Sequence, residues 1–152
     1  MQQGEPLAYL VGMQAFHRLE LHVTPDVLVP RADTETLVDW ALALPLPHAG
    51  VSVLDLGTGS GAIALALKHQ RPDWEVHAVD ASPAALQVAQ QNAERLGLSI
   101  QLHLSDWFSQ IDGMFDLIVS NPPYIAQDDP HLPALRHEPT QALVSGADGL
   151  RD

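Results

Sequence analysis

Residues 121–124 read Asn-Pro-Pro-Tyr and directly follow the apolar run FDLIVS. Pro122 and Pro123 lack a backbone N–H and each fixes φ, so the strand predicted for the apolar run must end there. The Asn121 amide oxygen and the Pro122 carbonyl could together accept two hydrogen bonds from a planar –NH₂ group, against which Tyr124 could pack. This pattern predicts a binding site for an amide or amino group at the end of a strand.

A second motif, DLGTGSGA, occupies residues 55–62, where a predicted strand passes into a helix. Glycines at such a turn let the backbone approach a ligand, and the helix N-terminus offers unpaired N–H groups. Gly57, Gly59 and Ala62 also satisfy the dinucleotide-binding pattern G-x-G-x-x-G/A. The loop therefore indicates a cofactor that contains adenosine, without deciding between a nicotinamide and a methyl donor.

Two further acidic residues follow predicted strands. Asp80 ends the strand after the glycine loop, where its carboxylate could accept both hydroxyls of a ribose or merely cap the next turn. Asp106 precedes Trp107 at the end of the third strand. That carboxylate could accept the exocyclic amine of an adenine while the indole packs on the base. A core tryptophan beside a turn aspartate is the alternative interpretation.

These residues are carried by a regular alternation of predicted elements. Apolar runs predict parallel strands, and helical patterns lie between them. Such an alternation is typical of a parallel α/β sheet with right-handed crossovers, in which ligands bind at the carboxyl ends of the strands. The predicted strands span 51–57, 75–80, 99–106 and 115–121, and the helices span 60–70 and 83–96.

The helix boundaries and the first thirty residues carry their own signals. Ser82 followed by Pro83 predicts a helix start, and Gly97 predicts its end. The run LELHVTPDVLV alternates apolar and polar residues around 24–26, which predicts a β-hairpin with its turn there. Asp33 is expected to cap a helix whose apolar stripe ends before Pro45.

Composition and charge exclude several classes of protein. The chain has 152 residues and a formal net charge of −12, with 7 Lys+Arg, so tight binding of a bare nucleic acid is not expected. The 8 histidines show no H-x-x-x-H spacing and there are no cysteines, so we expect no metal site. No signal peptide, membrane span or G-x-S-x-G nucleophile motif is recognised, and a cytoplasmic protein is expected.

Taken together, the motifs resemble those of the class I S-adenosylmethionine-dependent methyltransferases. VLDLGTGSGAIAL is similar to the first motif of that superfamily, AVDASPAALQVAQQNA to the second and NPPY to the fourth. The resemblance implies a Rossmann-like α/β fold, with a doubly wound and mostly parallel sheet in the partial order 3-2-1-4, preceded by a β-hairpin. It implies S-adenosyl-L-methionine as the cofactor. NPPY marks enzymes that methylate a planar nitrogen, either adenine N6 or the side-chain amide of glutamine.

A narrower resemblance covers nearly the whole chain. The segments GEPLAYLVGMQAFHRLELHVTPDVLVPRADTETLV, SDWF and NPPYIAQDDPHL…HEPTQALVSGADGL are similar to the release-factor glutamine methyltransferases, the PrmC/HemK family. This implies methylation of the glutamine in the GGQ motif of peptide-chain release factors. Residues 1–32 would be a linker and hairpin, and 33–152 a methyltransferase domain without its last strands. The family's N-terminal helical domain is not found, and its usual PRPDTE is PRADTE here.

The resemblance also implies roles for individual residues. Catalysis would fall to Asn121, Pro122 and Tyr124, and the substrate amide would be held by Asn121, Pro122, Pro123 and Tyr124. The residues implied to bind the cofactor are Asp55, Gly57, Thr58, Gly59, Ser60, Gly61, Asp80, Asp106, Trp107 and Asn121.

Three other functions remain open at the level of sequence. A glutamine methyltransferase that acts on a ribosomal protein would share NPPY and the HEP region, although DLGTGSGAIAL and PRADTE favour the release-factor branch. An adenine-N6 methyltransferase would share NPPY, but the net charge disfavours a polyanionic substrate. A nicotinamide dehydrogenase or a nucleotide-binding module would explain the glycine loop and Asp80 but not NPPY.

Overall fold

The first part of the chain forms a short helix and a β-hairpin. A computed structural model describes residues 4–150. It begins with helix α1 (Leu7–Val11) and continues with the antiparallel strands β1 (Met13–Phe16) and β2 (Leu19–His22). Side chains on one face of this hairpin enter the main hydrophobic core, including Phe16 and Leu21. The hairpin is therefore packed onto the rest of the chain.

The centre of the fold is a parallel sheet of four strands. These are β3 (Ser52–Leu56), β4 (Glu75–Asp80), β5 (Gln101–Leu104) and β6 (Leu117–Ser120). Their order across the sheet is β5-β4-β3-β6, which confirms the predicted order 3-2-1-4. The strand ends differ from the predicted ones by at most two residues, and β4 has the predicted bounds. All four carboxyl ends meet at one edge of the sheet, because the strands are parallel.

Three longer helices accompany the sheet: α2 (Glu35–Ala43), α3 (Ala62–Gln70) and α4 (Pro83–Leu96). The Ser82 hydroxyl accepts the Ala85 N–H at 3.2 Å, Pro83 is the first residue of α4, and Gly97 ends it in the left-handed conformation at φ 66°. This confirms the predicted caps of α4. Short 3₁₀ helices span Ala32–Thr34, Leu132–Leu135 and Thr140–Ala142.

Hydrophobic side chains are buried on both faces of the sheet. On one face, Val53 and Val76 belong to a large cluster with the almost wholly buried helix α3. On the other face, Leu54, Leu56 and Val79 pack against residues of the segment that follows β5. Because side chains alternate along a strand, this two-sided burial accounts for the continuous apolar runs in the sequence. Within the described range, no helix is long and apolar enough to cross a membrane.

The position predicted for the hairpin turn was wrong. The turn joins β1 to β2 at His17 and Arg18, which have φ values of 42° and 67°. Two-residue hairpin turns favour Asn-Gly or Asp-Gly in that conformation, so this pair gave no turn signal. Residues 24–26 instead turn the chain after β2, with the Val27 N–H donating to the Thr24 carbonyl at 3.1 Å.

The capping role predicted for Asp33 was also wrong. Asp33 lies inside the 3₁₀ turn Ala32–Thr34, which passes directly into α2. A capping residue normally has non-helical φ and ψ, whereas Thr34 has φ −69° and ψ −22° and makes no side-chain cap. The 3₁₀ turn therefore replaces the expected cap and frees the Thr34 hydroxyl for a distant partner.

Candidate functional site

A pocket of about 260 Å³ opens at the carboxyl ends of the strands, the edge at which α/β sheets bind ligands. It collects most of the residues that the sequence indicated for a cofactor. The predicted residues that line it are Gly57, Thr58, Gly59, Ser60, Asp80, Asp106, Trp107, Asn121 and Pro123.

The glycine loop is attached to the neighbouring strand β4. The Thr58 N–H donates to the Val79 carbonyl at 2.9 Å, and the Gly59 N–H donates to Asp80 Oδ2 at 2.9 Å. Gly57 and Gly59 have φ values of 70° and 56°, and a Cβ at either residue would meet no atom within 4 Å. The loop thus presents bare backbone to open space in the pocket, as close approach of a ligand requires.

Asp80 lies half-buried on the pocket wall, where it organises two backbone segments. Its Oδ2 accepts the Gly59 N–H, and its Oδ1 accepts the Ser82 N–H at 3.0 Å. An ionised carboxylate has about four lone-pair sites, so both oxygens can accept a further hydrogen bond. The side chain can therefore fix the loop and bind ligand hydroxyls at the same time.

Two of the predicted cofactor residues support the loop from behind and do not line the pocket. Asp55 is fully buried, and its Oδ2 accepts the Thr58 hydroxyl at 2.7 Å. Burial raises the pKa of Asp55 from 3.8 to about 7, although hydrogen bonds from Thr58 and the Ala64 backbone oppose the rise. Gly61, at φ 86°, lies so close to Leu65 and Ala89 that a Cβ would come within 3.1–3.3 Å of them.

Asp106 and Trp107 form the side of the pocket next to β5. Trp107 has a positive φ of 51°, which is uncommon for a bulky residue. The Ser105 hydroxyl stabilises this turn, since it donates to the Trp107 carbonyl at 2.8 Å and accepts the Gln110 N–H at 2.9 Å. The indole packs against the cluster of Leu54, Leu56 and Val79, while Asp106 is exposed at the rim.

Asn121 follows β6 and lines the first pocket and a second, adjacent groove of about 560 Å³. Its Nδ2 donates to the Thr34 hydroxyl at 3.4 Å. Because the carboxamide is planar, this contact turns the amide oxygen away from Thr34. Thr34 also lines both cavities, so these two side chains stand where the cavities join.

The rest of the Asn-Pro-Pro-Tyr motif is divided between the two cavities. Pro123 lines the first pocket, whereas Pro122 and Tyr124 line the second groove. The Tyr124 side chain is 71% exposed, and Trp40 of α2, which lines the same groove, is 69% exposed. Two large exposed aromatic residues in the groove that Asn121 also lines are suited to contact with another molecule.

Residues that the sequence analysis did not single out complete the pocket. Residues 27–31, which we call the wall segment, supply Val27, Leu28, Pro30 and Arg31 to the lining, and Gln141 and Ala142 contribute from the C-terminal side. The motifs PRADTE and HEP contain these residues or lie next to them, and they were the only sequence features that could have pointed to this part of the pocket. Their place in the pocket depends on contacts between distant parts of the chain. Among residues 4–150, no group of three or more His, Asp or Glu side chains could hold a metal ion.

Comparisons with known proteins identify relatives of this chain. The chain is 52% identical to the release factor glutamine methyltransferase of Salmonella typhimurium, and also 52% identical to that of Pseudomonas aeruginosa, over 99% of its length. It covers 56% of each of these relatives, so it spans about half of their length. These similarities confirm the resemblance that the sequence motifs indicated.

Solved structures of methyltransferases share the fold. A T. thermophilus 16S rRNA methyltransferase in complex with AdoMet and guanosine matches 76% of this chain and 33% of its own, with a TM-score of 0.63 and 29% identity. A ribosomal protein L11 methylase from Lactobacillus delbrueckii matches 59% of this chain and 46% of its own, with a TM-score of 0.51 and 33% identity. A family model described as "Methyltransferase small domain" matches residues 34–147. The chain therefore belongs to the methyltransferase small domain family.

Proposed function

We propose that the protein containing this chain transfers a methyl group from S-adenosyl-L-methionine to the side-chain amide nitrogen (N5) of the glutamine in the GGQ motif of peptide-chain release factors. The observation that carries the proposal is the position of Asn121 at the junction of two cavities. One cavity has the lining of a nucleoside site, and the other opens to the surface. Similarity to proteins named release factor glutamine methyltransferase supports the choice of substrate.

The residues of the first pocket fit S-adenosylmethionine, which would supply a methyl group activated on a sulfonium. The Asp80 carboxylate retains lone pairs to accept the two ribose hydroxyls. The Asp106 carboxylate would accept the adenine amine, and Trp107 would pack on the base. The bare backbone at Gly57 and Gly59 would leave room for the remainder of the cofactor. Asp55 and Gly61 hold this loop in shape from behind.

The substrate glutamine is a poor nucleophile, because the lone pair of its amide nitrogen is delocalised into the carbonyl. The Asn121 amide oxygen and the Pro122 carbonyl accept its two N–H groups, which aims the nitrogen at the methyl group. The same two acceptors stabilise the positive charge that develops on the nitrogen during transfer. Tyr124 packs on the planar amide, and the extra proton leaves to water without a general base.

The charge of the chain favours a protein substrate over a bare nucleic acid. With a net charge of −12, the chain repels a phosphate backbone and attracts a basic protein surface at long range. The exposed Trp40 and Tyr124 offer contact area to a protein loop that enters the second groove. Release factors act in translation, so we assign the reaction to the cytoplasm.

Methyl transfer to a purified release factor tests the proposal. The full-length protein is incubated with release factor and methyl-labelled S-adenosylmethionine, and the label is mapped by mass spectrometry. We expect the label on the glutamine of GGQ. Parallel reactions contain a ribosomal protein or an adenine-containing nucleic acid in place of the release factor. Label in one of these, with none on the release factor, would show that the proposed substrate is wrong. Isothermal titration with S-adenosylmethionine and with NAD tests the cofactor, and preferential binding of NAD would overturn the assignment.

A further inference from the structure

The wall segment, residues 27–31, borders the cofactor pocket without belonging to any strand. Side chains from elsewhere in the chain satisfy two of its backbone polar groups. The Tyr9 hydroxyl donates to the Val27 carbonyl at 2.5 Å, and the Val29 N–H donates to Glu138 Oε2 at 3.1 Å. Backbone groups that lack a ladder partner need such contacts to stay in place when they are buried. The position of this wall therefore depends on distant side chains.

Glu138 belongs to the HEP motif, and its side chain is 2% exposed. Besides accepting the Val29 N–H, its carboxylate forms an ion pair through Oε1 with the Arg31 guanidinium. Arg31 in turn donates from Nη1 to the Val29 carbonyl at 3.1 Å. A buried carboxylate needs both a charge partner and hydrogen-bond donors, and the wall segment supplies both. The contact is closed across more than 100 residues of chain.

Immediately after Glu138, the chain contributes to the lining of the same pocket. The 3₁₀ helix Thr140–Ala142 follows, and Gln141 and Ala142 line the cavity. The Ala142 N–H donates to the Pro139 carbonyl at 3.0 Å, so this turn is connected closely to Glu138. One carboxylate thus links the wall segment to the segment that carries Gln141 and Ala142.

We propose that Glu138 is a positioning residue for the cofactor: through Arg31 and the Val29 N–H it holds the wall segment next to the turn at 140–142, and so fixes the shape of this part of the pocket. The inference rests on the proposed function for the identity of the cofactor. Its geometry concerns Glu138 and the wall segment alone. Loss of the carboxylate should therefore weaken cofactor binding more than it slows methyl transfer at saturating cofactor.

The test compares Glu138→Ala and Glu138→Gln in the full-length protein. The alanine variant loses the charge and the acceptor, and we expect its Kd for S-adenosylmethionine to rise about 10-fold, equivalent to about 1.4 kcal/mol. The glutamine variant keeps an acceptor for the Val29 N–H but loses the ion pair, so a rise of about 3-fold is expected. In both variants kcat at saturating cofactor should stay within about 3-fold of the parent, which gives a KM effect without a matching kcat effect.

Glu35→Ala is the matched control, because the Glu35 carboxylate also accepts a distant backbone N–H, that of His17 at 2.9 Å, and does not line the pocket. It should lower the melting temperature without raising the cofactor Kd. Should Glu138→Ala not fold, Glu138→Gln carries the comparison. A cofactor Kd within about 2-fold of the parent value in the folded Glu138 variants would overturn the positioning role. The loss of one charge-assisted hydrogen bond that positions the pocket should change the Kd by more than about 2-fold.

Hydrogen exchange separates this inference from the proposed function. In the Glu138 variants, amides of residues 27–31 should exchange faster, while those of β3 (Ser52–Leu56) should be unchanged. If the parent protein does not bind S-adenosylmethionine, the proposed function fails, yet the exchange of the wall segment still decides whether Glu138 holds it. Unchanged exchange at 27–31 would overturn the inference on its own.

Discussion

Asp80 and Asn121 both lie at the carboxyl ends of parallel strands, yet the contacts that hold them differ in range. Asp80 binds the Gly59 and Ser82 N–H groups, 21 and 2 residues away. Asn121 binds Thr34, 87 residues away. The part of the site around Asp80 and the glycine loop, on the proposed cofactor side, is therefore held by contacts within or next to one β-α-β unit. Asn121, on the proposed substrate side, is held by a contact that closes a long loop of chain, which costs conformational entropy.

The same contrast appears in the backbone. Residues around the glycine loop belong to strands and helices packed on both faces of the sheet. Residues 121–150 contain short 3₁₀ helices and an isolated bridge between Ile125 and Val144. Gly149 lies against the Tyr124 carbonyl so closely that a Cβ would come within 2.4 Å of it. The substrate side should accordingly be the more sensitive of the two to small displacements.

The largest expected effect is on Asn121. In the full-length protein, Asn121→Ala should lower kcat by about 10²–10³-fold, because the acceptor that aims the amide and stabilises its charge is lost. Binding of S-adenosylmethionine should change by about 3-fold at most, since Asp80 and the glycine loop remain. Single-turnover methyl transfer and isothermal titration measure the two quantities. A kcat close to that of the parent would show that Asn121 does not orient the substrate amide.

On the cofactor side, Asp55 should make stability depend on pH. Its pKa is raised from 3.8 to about 7 by burial, so between these values the folded state holds a proton that the unfolded state has lost. Stability therefore falls as pH rises through this window, by roughly 3 kcal/mol, and Asp55→Asn should abolish that slope.

Urea unfolding of the parent and the Asp55→Asn variant at about pH 5 and pH 8 measures this slope. Asp112→Asn, a substitution of an exposed aspartate, is the control and should leave the slope unchanged. The same pH dependence in the parent and the Asp55→Asn variant would contradict the assignment of the slope to this carboxyl.

A smaller effect is expected at Gly149. Gly149→Ala adds a Cβ at a residue with φ +80° and forces the Tyr124 backbone to move, so kcat/KM for the release factor should fall about 10-fold. Gly113→Ala is the matched control, because Gly113 has φ +103° but no atom within 4 Å of the added Cβ. Steady-state kinetics of both variants provide the measurement. Equal losses would mean that backbone strain, rather than displacement of the motif, determines the effect.

The smallest expected effect is at Thr34. Thr34→Ala removes the hydroxyl that accepts the Asn121 Nδ2–H, and one hydrogen bond of this kind is worth about 1 kcal/mol, so kcat should fall about 5-fold. Thr34→Ser keeps the hydroxyl and should restore most of the activity. An alanine variant with unchanged kcat, or a serine variant as slow as alanine, would show that this contact does not orient Asn121.

Local signals in the sequence were sufficient for the sheet and for much of the cofactor side. The four parallel strands were predicted by apolar runs, because a strand buried on both faces has a continuous apolar sequence. Both ends of α4 were predicted by Ser82, Pro83 and Gly97, because a helix cap is formed by the residues at the helix end. The predicted position of the hairpin turn was wrong because the actual turn has no local sequence signal. The turn residues His17 and Arg18 adopt positive φ values that Asn and Gly usually adopt in such turns. Packing of the hairpin side chains in the core offsets the cost of this backbone conformation.

What the sequence by itself determined is the chemistry available at the strand ends: the bare glycine loop, the carboxylates of Asp80 and Asp106, and the rigid Asn-Pro-Pro-Tyr motif. What only the tertiary structure decided is how the remaining walls enclose them. Thr34 meets Asn121, and Glu138 meets Arg31, across 87 and 107 residues. Local sequence patterns do not predict such pairs, because the pairs form only after the sheet has brought distant loops to one edge.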